Sequence, residues 1–176
     1  MAAAHDSVRV WDILVRVFHW SLVTGYLIAW ITGDEWEDAH AVAGYTVAGL
    51  VGFRIVWGFI GGRHARFADF VRGPRAVLRF LKDSVRLKAP RYLGHNPAGG
   101  AMVVALLAMT AVICGSGYLL ETGAWRGEDW VEETHEIAVN VTLVLVGLHV
   151  VGVAMASFEH RENLVKAMFT GRKRAL

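Results

Sequence analysis

The sequence predicts an all-α integral membrane protein, a four-helix bundle with both chain ends in the cytoplasm. Three observations carry this. The 176 residues are 55% hydrophobic, with seven Trp and 19 Gly, and the mean hydropathy is +0.39. The apolar residues gather in four runs of the length that crosses a hydrocarbon layer about 30 Å thick, roughly 20 residues each. The segments between them alternate in charge, acidic then basic then acidic, although the formal net charge is only +2.

The first span is expected over about 13–32, with Arg16 and His19 near its start and Trp30 near its end. The stretch before it, MAAAHDSVRVWD, lacks a basic n-region and a small-residue cleavage site, so the span is expected to stay in the mature chain. Gly33-Asp34-Glu35-Trp36-Glu37-Asp38 forms the acidic first connection. The second span is expected over about 40–60, opening at His40 and carrying Arg54, Gly44, Gly49 and Gly52. A basic connection follows over 61–97, with nine Lys or Arg from Arg63 to Arg91 against Asp69 and Asp83. Within it, RAVLRFLKDSVRL spaces apolar residues helically with basic residues between, and reads as an amphipathic helix on anionic headgroups. That explains the basic charge more simply than a nucleic-acid partner, and none is expected.

Asn96-Pro97 opens the third span, about 100–120, as N-cap and first helical residue. The acidic third connection holds Glu121, Glu128, Asp129, Glu132 and Glu133 against Arg126. The fourth span is expected over about 134–158. Thr134 is a candidate cap, with Trp130-Val131 as an alternative helical start. The tail HRENLVKAMFTGRKRAL is basic. Lysine and arginine mark the cytoplasmic side, so the second connection and tail fall inside and the two acidic connections outside.

This topology assigns depths to the histidines. His135 and His149 stand 14 positions apart, roughly 21 Å along a helix and about 40° short of whole turns. His40 and His135 then fall at the outer level, His19 and His149 at the inner. Two level imidazole pairs suit haem iron, where the porphyrin supplies the other four nitrogens, better than a four-ligand zinc site. Gly44, Gly49, Gly52, Gly147 and Gly152 offer room for a macrocycle or for close helix packing. Arg54 and Arg16 are candidate partners of haem propionates. Headgroup snorkelling competes for Arg16, and another buried anion for Arg54. His5, His64, His95 and His160 are expected to face solvent or interfaces. One cysteine, Cys114, excludes an intrachain disulfide.

FHW around His19, His40 opening the second span, GHNPAGG before the third, and the histidine pair followed by HRENLVKAM together resemble the bacterial cytochrome b561 and nickel–iron hydrogenase cytochrome b family. The resemblance covers nearly the whole chain. It implies a multi-pass inner-membrane protein with two b-type haems, with His19, His40, His135 and His149 as ligands. The chain is shorter than hydrogenase-associated members usually are. It looks more like the cytochromes that pass electrons between the quinone pool and a periplasmic redox protein, often a c-type cytochrome. A haem-bearing anchor of a hydrogenase-like complex and a superoxide:quinone oxidoreductase are the alternatives within the family. Homo-oligomers are compatible with the pattern. A histidine-lined metal transporter would need carboxylates inside the spans, and Glu136 near the outer edge stands almost alone.

Overall fold

The computed structural model describes residues 7–33, 35–123 and 125–175, and is predominantly helical. His5 and Asp34 lie outside these residues. In chain order the elements are β1 (Ser7–Arg9), α1 (Ile13–Thr32), α2 (Glu37–Ile60), α3 (Phe67–Phe70), α4 (Pro74–Val85), α5 (Pro97–Glu121), α6 (Asp129–Glu159), α7 (Leu164–Thr170) and β2 (Arg172–Arg174).

Four helices, α1, α2, α5 and α6, are long and apolar enough to cross a membrane. Even α1, with 20 residues, reaches about 30 Å at 1.5 Å per residue. Many of their large apolar side chains are exposed, among them Ile31, Val42, Phe59, Ile60 and Val144. Such continuous apolar cover is stable against lipid, not water.

The helix ends have local causes. Asp12 accepts the Val15 N–H at 2.8 Å and caps α1. Asn96 accepts the Gly99 N–H at 2.7 Å, with Pro97 as the first residue of α5. α2 starts three residues before His40, with Glu37 and Asp38 in its first turn, where carboxylates favour a helix N-terminus. α6 starts at Asp129, so Thr134 lies inside it and donates to the Trp130 carbonyl at 2.7 Å. The acidic residues of the third connection thus extend the last long helix by a turn beyond its apolar run, and Thr134 is not its cap.

The chain divides into two compact units. The first comprises Met1–Arg16, Trp57–Val103 and Gly147–Leu176. Its core joins Val10, Trp11, Val15, Ala65 and Ala167, with Val8, Trp57, Leu93 and Met168 packed against them. β1 and β2 pair antiparallel, Ser7 opposite Arg174 and Arg9 opposite Arg172. Gly171, at φ +76°, ends α7, and an added Cβ there would stand 2.6 Å from the Trp11 carbonyl oxygen. An ionic clasp ties the basic connection to the tail. Glu162 accepts from Arg91 Nη2 at 2.9 Å and pairs with Lys173 Nζ at 3.3 Å. Lys173 also donates to the Tyr92 carbonyl at 2.8 Å.

The second unit comprises Val17–Val56 and Val104–Val146. The inward stripe of α2 is Ala43, Val47, Val51 and Arg54, and that of α6 is Val131, Ala138 and Thr142, all buried. Gly25 of α1 lets Val47 approach, since an added Cβ would lie 3.1 Å from Val47 Cγ2. The buried hydroxyls of Thr110, Ser116 and Thr142 each donate to the carbonyl four residues earlier, at 2.7, 2.8 and 2.8 Å. Hydroxyls inside an apolar span are satisfied this way without a partner helix.

Candidate haem site

His40 sits on the first turn of α2 and His135 on the second turn of α6, both half-buried in the second unit. Their ring centroids are 6.1 Å apart. Each ring is held by Nδ1. His40 Nδ1 lies 2.8 Å from the Ala29 carbonyl oxygen. A carbonyl only accepts, so His40 carries its proton on Nδ1. His135 Nδ1 lies 3.1 Å from Ser116 Oγ. The Ser116 hydroxyl hydrogen has its acceptor in the Val112 carbonyl at 2.8 Å, so Oγ is left to accept from His135 Nδ1–H. Both rings are therefore Nδ1–H tautomers with bare Nε2 nitrogens, the state in which imidazole binds a metal.

The spacing also fits. Two imidazoles on opposite sides of one metal, at the metal–nitrogen distance of about 2 Å, hold their centroids roughly 6–6.5 Å apart. Gly117 keeps the space beside His135 clear, for a Cβ there would stand 3.2 Å from Cε1. Gly44, one turn after His40, is half-buried, with nothing within 4 Å of an added Cβ. Gly49 and Gly52, by contrast, are on the exposed side of α2, and Gly147 and Gly152 on the exposed side of α6. Of the five glycines considered for the cradle, only Gly44 lies near a histidine of the pair. No cluster of three or more His, Cys, Asp or Glu that could hold a bare metal ion occurs among the described residues. Two histidines without further protein ligands match an iron whose remaining positions a porphyrin fills.

The other candidates are distributed between the units. His19 is half-buried on α1 in the second unit, with the Trp20 ring edge-on at 4.9 Å. Arg54 is 2% exposed on α2. His149 is half-buried on α6 in the first unit. Arg16, also in the first unit, donates through Nη1 to the Phe169 carbonyl at the end of α7, and its Nε is buried without an acceptor among the described residues. A guanidinium at a helix C-terminus complements the terminal carbonyls, a role that the sequence did not suggest.

Among the remaining histidines, His95 is not solvent-facing. Its ring lies between Trp11 at 4.7 Å and Phe70 at 4.6 Å. His64 packs beneath Gly94. Burial and the neighbouring Arg63 hold its pKa below the ordinary range, with Asp69 opposing, so it is neutral at pH 7. His160 uses its carbonyl to accept from Arg174 at 3.1 Å. Trp57 packs against the first unit's core and donates to Asp12 Oδ2 at 3.3 Å.

Membrane-length helices that bring two Nδ1-anchored histidines together have the make-up of a multi-pass haem protein. Residues 10–171 match the family described as prokaryotic cytochrome b561. The chain belongs to that family and is a membrane-bound b-type cytochrome.

It is similar to a protein of Bradyrhizobium diazoefficiens named "Probable Ni/Fe-hydrogenase B-type cytochrome subunit", at 24% identity over 98% of this chain and 88% of that protein. Proteins of the same name from Azotobacter chroococcum, at 28% identity, and Azotobacter vinelandii, at 26%, align over 94% of this chain and 88% of theirs. No solved structure matches the chain.

Proposed function

We propose that this chain is a di-haem electron relay of the bacterial inner membrane. It is a four-helix bundle with both ends in the cytoplasm, and carries electrons between the quinone pool and a redox partner on the periplasmic side, such as a c-type cytochrome. The observation that carries the reading is the His40–His135 pair, with the ring centroids 6.1 Å apart and each Nδ1 engaged. These two residues would hold the outer haem, and His19 and His149 the inner one. Bound haem b supplies reversible one-electron chemistry at its iron. The chain's own residues set ligation, exclude water with apolar side chains, and balance propionate charge with Arg54 and with the Nε–H of Arg16.

The sidedness has structural support. The N-terminal strand, the basic connection and the basic tail belong to one unit, and the two acidic connections to the other. The pairing of Ser7–Arg9 with Arg172–Arg174 supports an even number of spans between them. The test is haem content in histidine variants. His135→Leu is expected to reduce two haems per chain to one, and an unchanged content in a folded variant would overturn the assignment.

A second reading, an electron-transfer subunit that anchors a hydrogenase, is favoured by the printed names of the relatives. Copurification separates the two. A hydrogenase retained at one-to-one stoichiometry supports the anchor, and full quinone reduction by the isolated chain supports the relay.

A further inference from the structure

At the corner where α6 ends and α7 begins, the first unit carries two adjoining grooves of about 440 and 570 Å³ that share Ser157, Phe158 and Arg161. One is walled by Val150, Val153, Ala154, Phe158 and Val165. Val150 is 60% exposed and Phe158 77%. The other is bounded by Leu87 and Glu159. These are open surface grooves, with apolar walls and a few polar groups at one end.

The charges at the rim decide what it takes. Glu159 accepts the Ala89 N–H at 2.7 Å. Glu162 is engaged by Arg91, Lys173 and the Arg174 N–H. The side-chain oxygens of Ser157 and Asn163 accept backbone N–H groups, from Leu164 at 3.3 Å and Lys166 at 2.7 Å. Arg161 is paired with no carboxylate among the described residues. Its backbone, at φ +48°, is the left-handed residue that closes α6, with its own N–H on the Phe158 carbonyl at 3.2 Å and the Glu162 N–H on the Ser157 carbonyl at 3.0 Å, so the side chain leaves the helix end at a fixed place.

The helix that precedes Leu87 in the chain is basic and amphipathic. Leu87 follows directly on α4, whose residues sort into three sides at 100° per residue. Phe80 packs inward, while Leu78 (67% exposed) and Val85 (78%) form an exposed apolar strip. Arg75, Arg79 and Lys82 run beside that strip. An apolar strip edged by cations is the surface that settles into an acidic headgroup layer.

We propose that this corner binds an acidic glycerophospholipid, with its phosphate on Arg161 and the upper part of one acyl chain along Val150, Val153, Ala154 and Phe158. The proposal rests on the reading that this unit lies at the cytoplasmic leaflet. The test uses the full chain in nanodiscs of phosphatidylcholine with or without 20 mol% phosphatidylglycerol (on the order of the acidic fraction that anchors basic helices), followed by native mass spectrometry. The parent is expected to retain one phosphatidylglycerol, and Arg161→Gln to reduce that retention about tenfold. Val153→Trp, which fills the groove and keeps Arg161, is expected to reduce it as well. Equal retention by parent and Arg161→Gln, or equal retention of the two lipids by the parent, overturns the proposal. Haem content measured on the same samples keeps the two readings apart, since the lipid variants are expected to keep the parent's content. A maleimide that cannot cross membranes should label Arg161→Cys in inverted vesicles. Labelling only in right-side-out spheroplasts overturns the cytoplasmic placement without touching lipid retention.

Discussion

Ser116 accepts a hydrogen bond from His135, 3.1 Å from Oγ to Nδ1, while its own hydrogen goes to the Val112 carbonyl. One small hydroxyl thus chooses the tautomer of a haem-ligand candidate. Ser116→Ala is expected to leave the fold intact, weaken haem binding about 10–100-fold and raise the potential of that haem, because an imidazole without its Nδ1 acceptor is a weaker donor to ferric iron. Redox titration with haem quantification checks both.

Gly117 is expected to tolerate no bulky side chain without a shift of the His135 ring. An added Cβ would lie 3.2 Å from His135 Cε1 and 3.5 Å from Nδ1. Gly117→Val should displace the ring and lose the outer haem, with the four-span fold retained. Parent-level haem content in this variant would mean that the ring has freedom the structure does not give it.

The clasp at Glu162 makes the first unit sensitive to acid. Burial raises this carboxyl's pKa, but hydrogen bonds from Arg91 and the Arg174 N–H, with the charges of Lys173 and Arg91, outweigh it and hold the pKa below the usual range. A group depressed on folding contributes stability that is present above the unfolded pKa and lost as pH falls through the folded one. The tail should therefore loosen only below the ordinary carboxylate range, read as faster proteolysis of residues 160–175. Burial also lowers Lys173, with Glu162 opposing, so its contribution grows only as pH rises through the alkaline range. With the two side chains 9% and 5% exposed, Glu162→Gln leaves the Lys173 charge buried without its partner and should cost about 3 kcal/mol.

The exposed carboxylates of the acidic connections, Glu35, Glu37, Asp38, Glu128, Asp129, Glu132 and Glu133, would steer a basic partner. Electron transfer to that partner is expected to slow about tenfold between roughly 0.01 and 0.15 M ionic strength. A rate independent of salt would remove the docking idea.

What was legible in the sequence was what periodicity and charge encode locally. The apolar run of α1 coincides with its helix, Ile13–Thr32, because nothing else competes for those residues. α6 begins five residues before the expected position 134 because acidic residues, invisible to a hydropathy reading, are good first-turn residues. Depth along the spans paired His40 with His135 in the sequence, and the structure sets their rings 6.1 Å apart. Ser116 was missed because a single hydroxyl in an apolar helix looks like any other, and the level it shares with His135 was the only available signal. The β1–β2 pairing and the Arg91–Glu162–Lys173 clasp join residues far apart in the chain, and three-residue strands leave no period to read.

The central claim is that two iron porphyrins are each gripped by two imidazoles of this one chain. It is tested most directly by the reduced-minus-oxidised spectrum of the purified protein with pyridine haemochrome quantification per chain. The account predicts a b-type spectrum and two haems per polypeptide. A colourless protein after haem-replete expression, or a single haem at full occupancy, would contradict it.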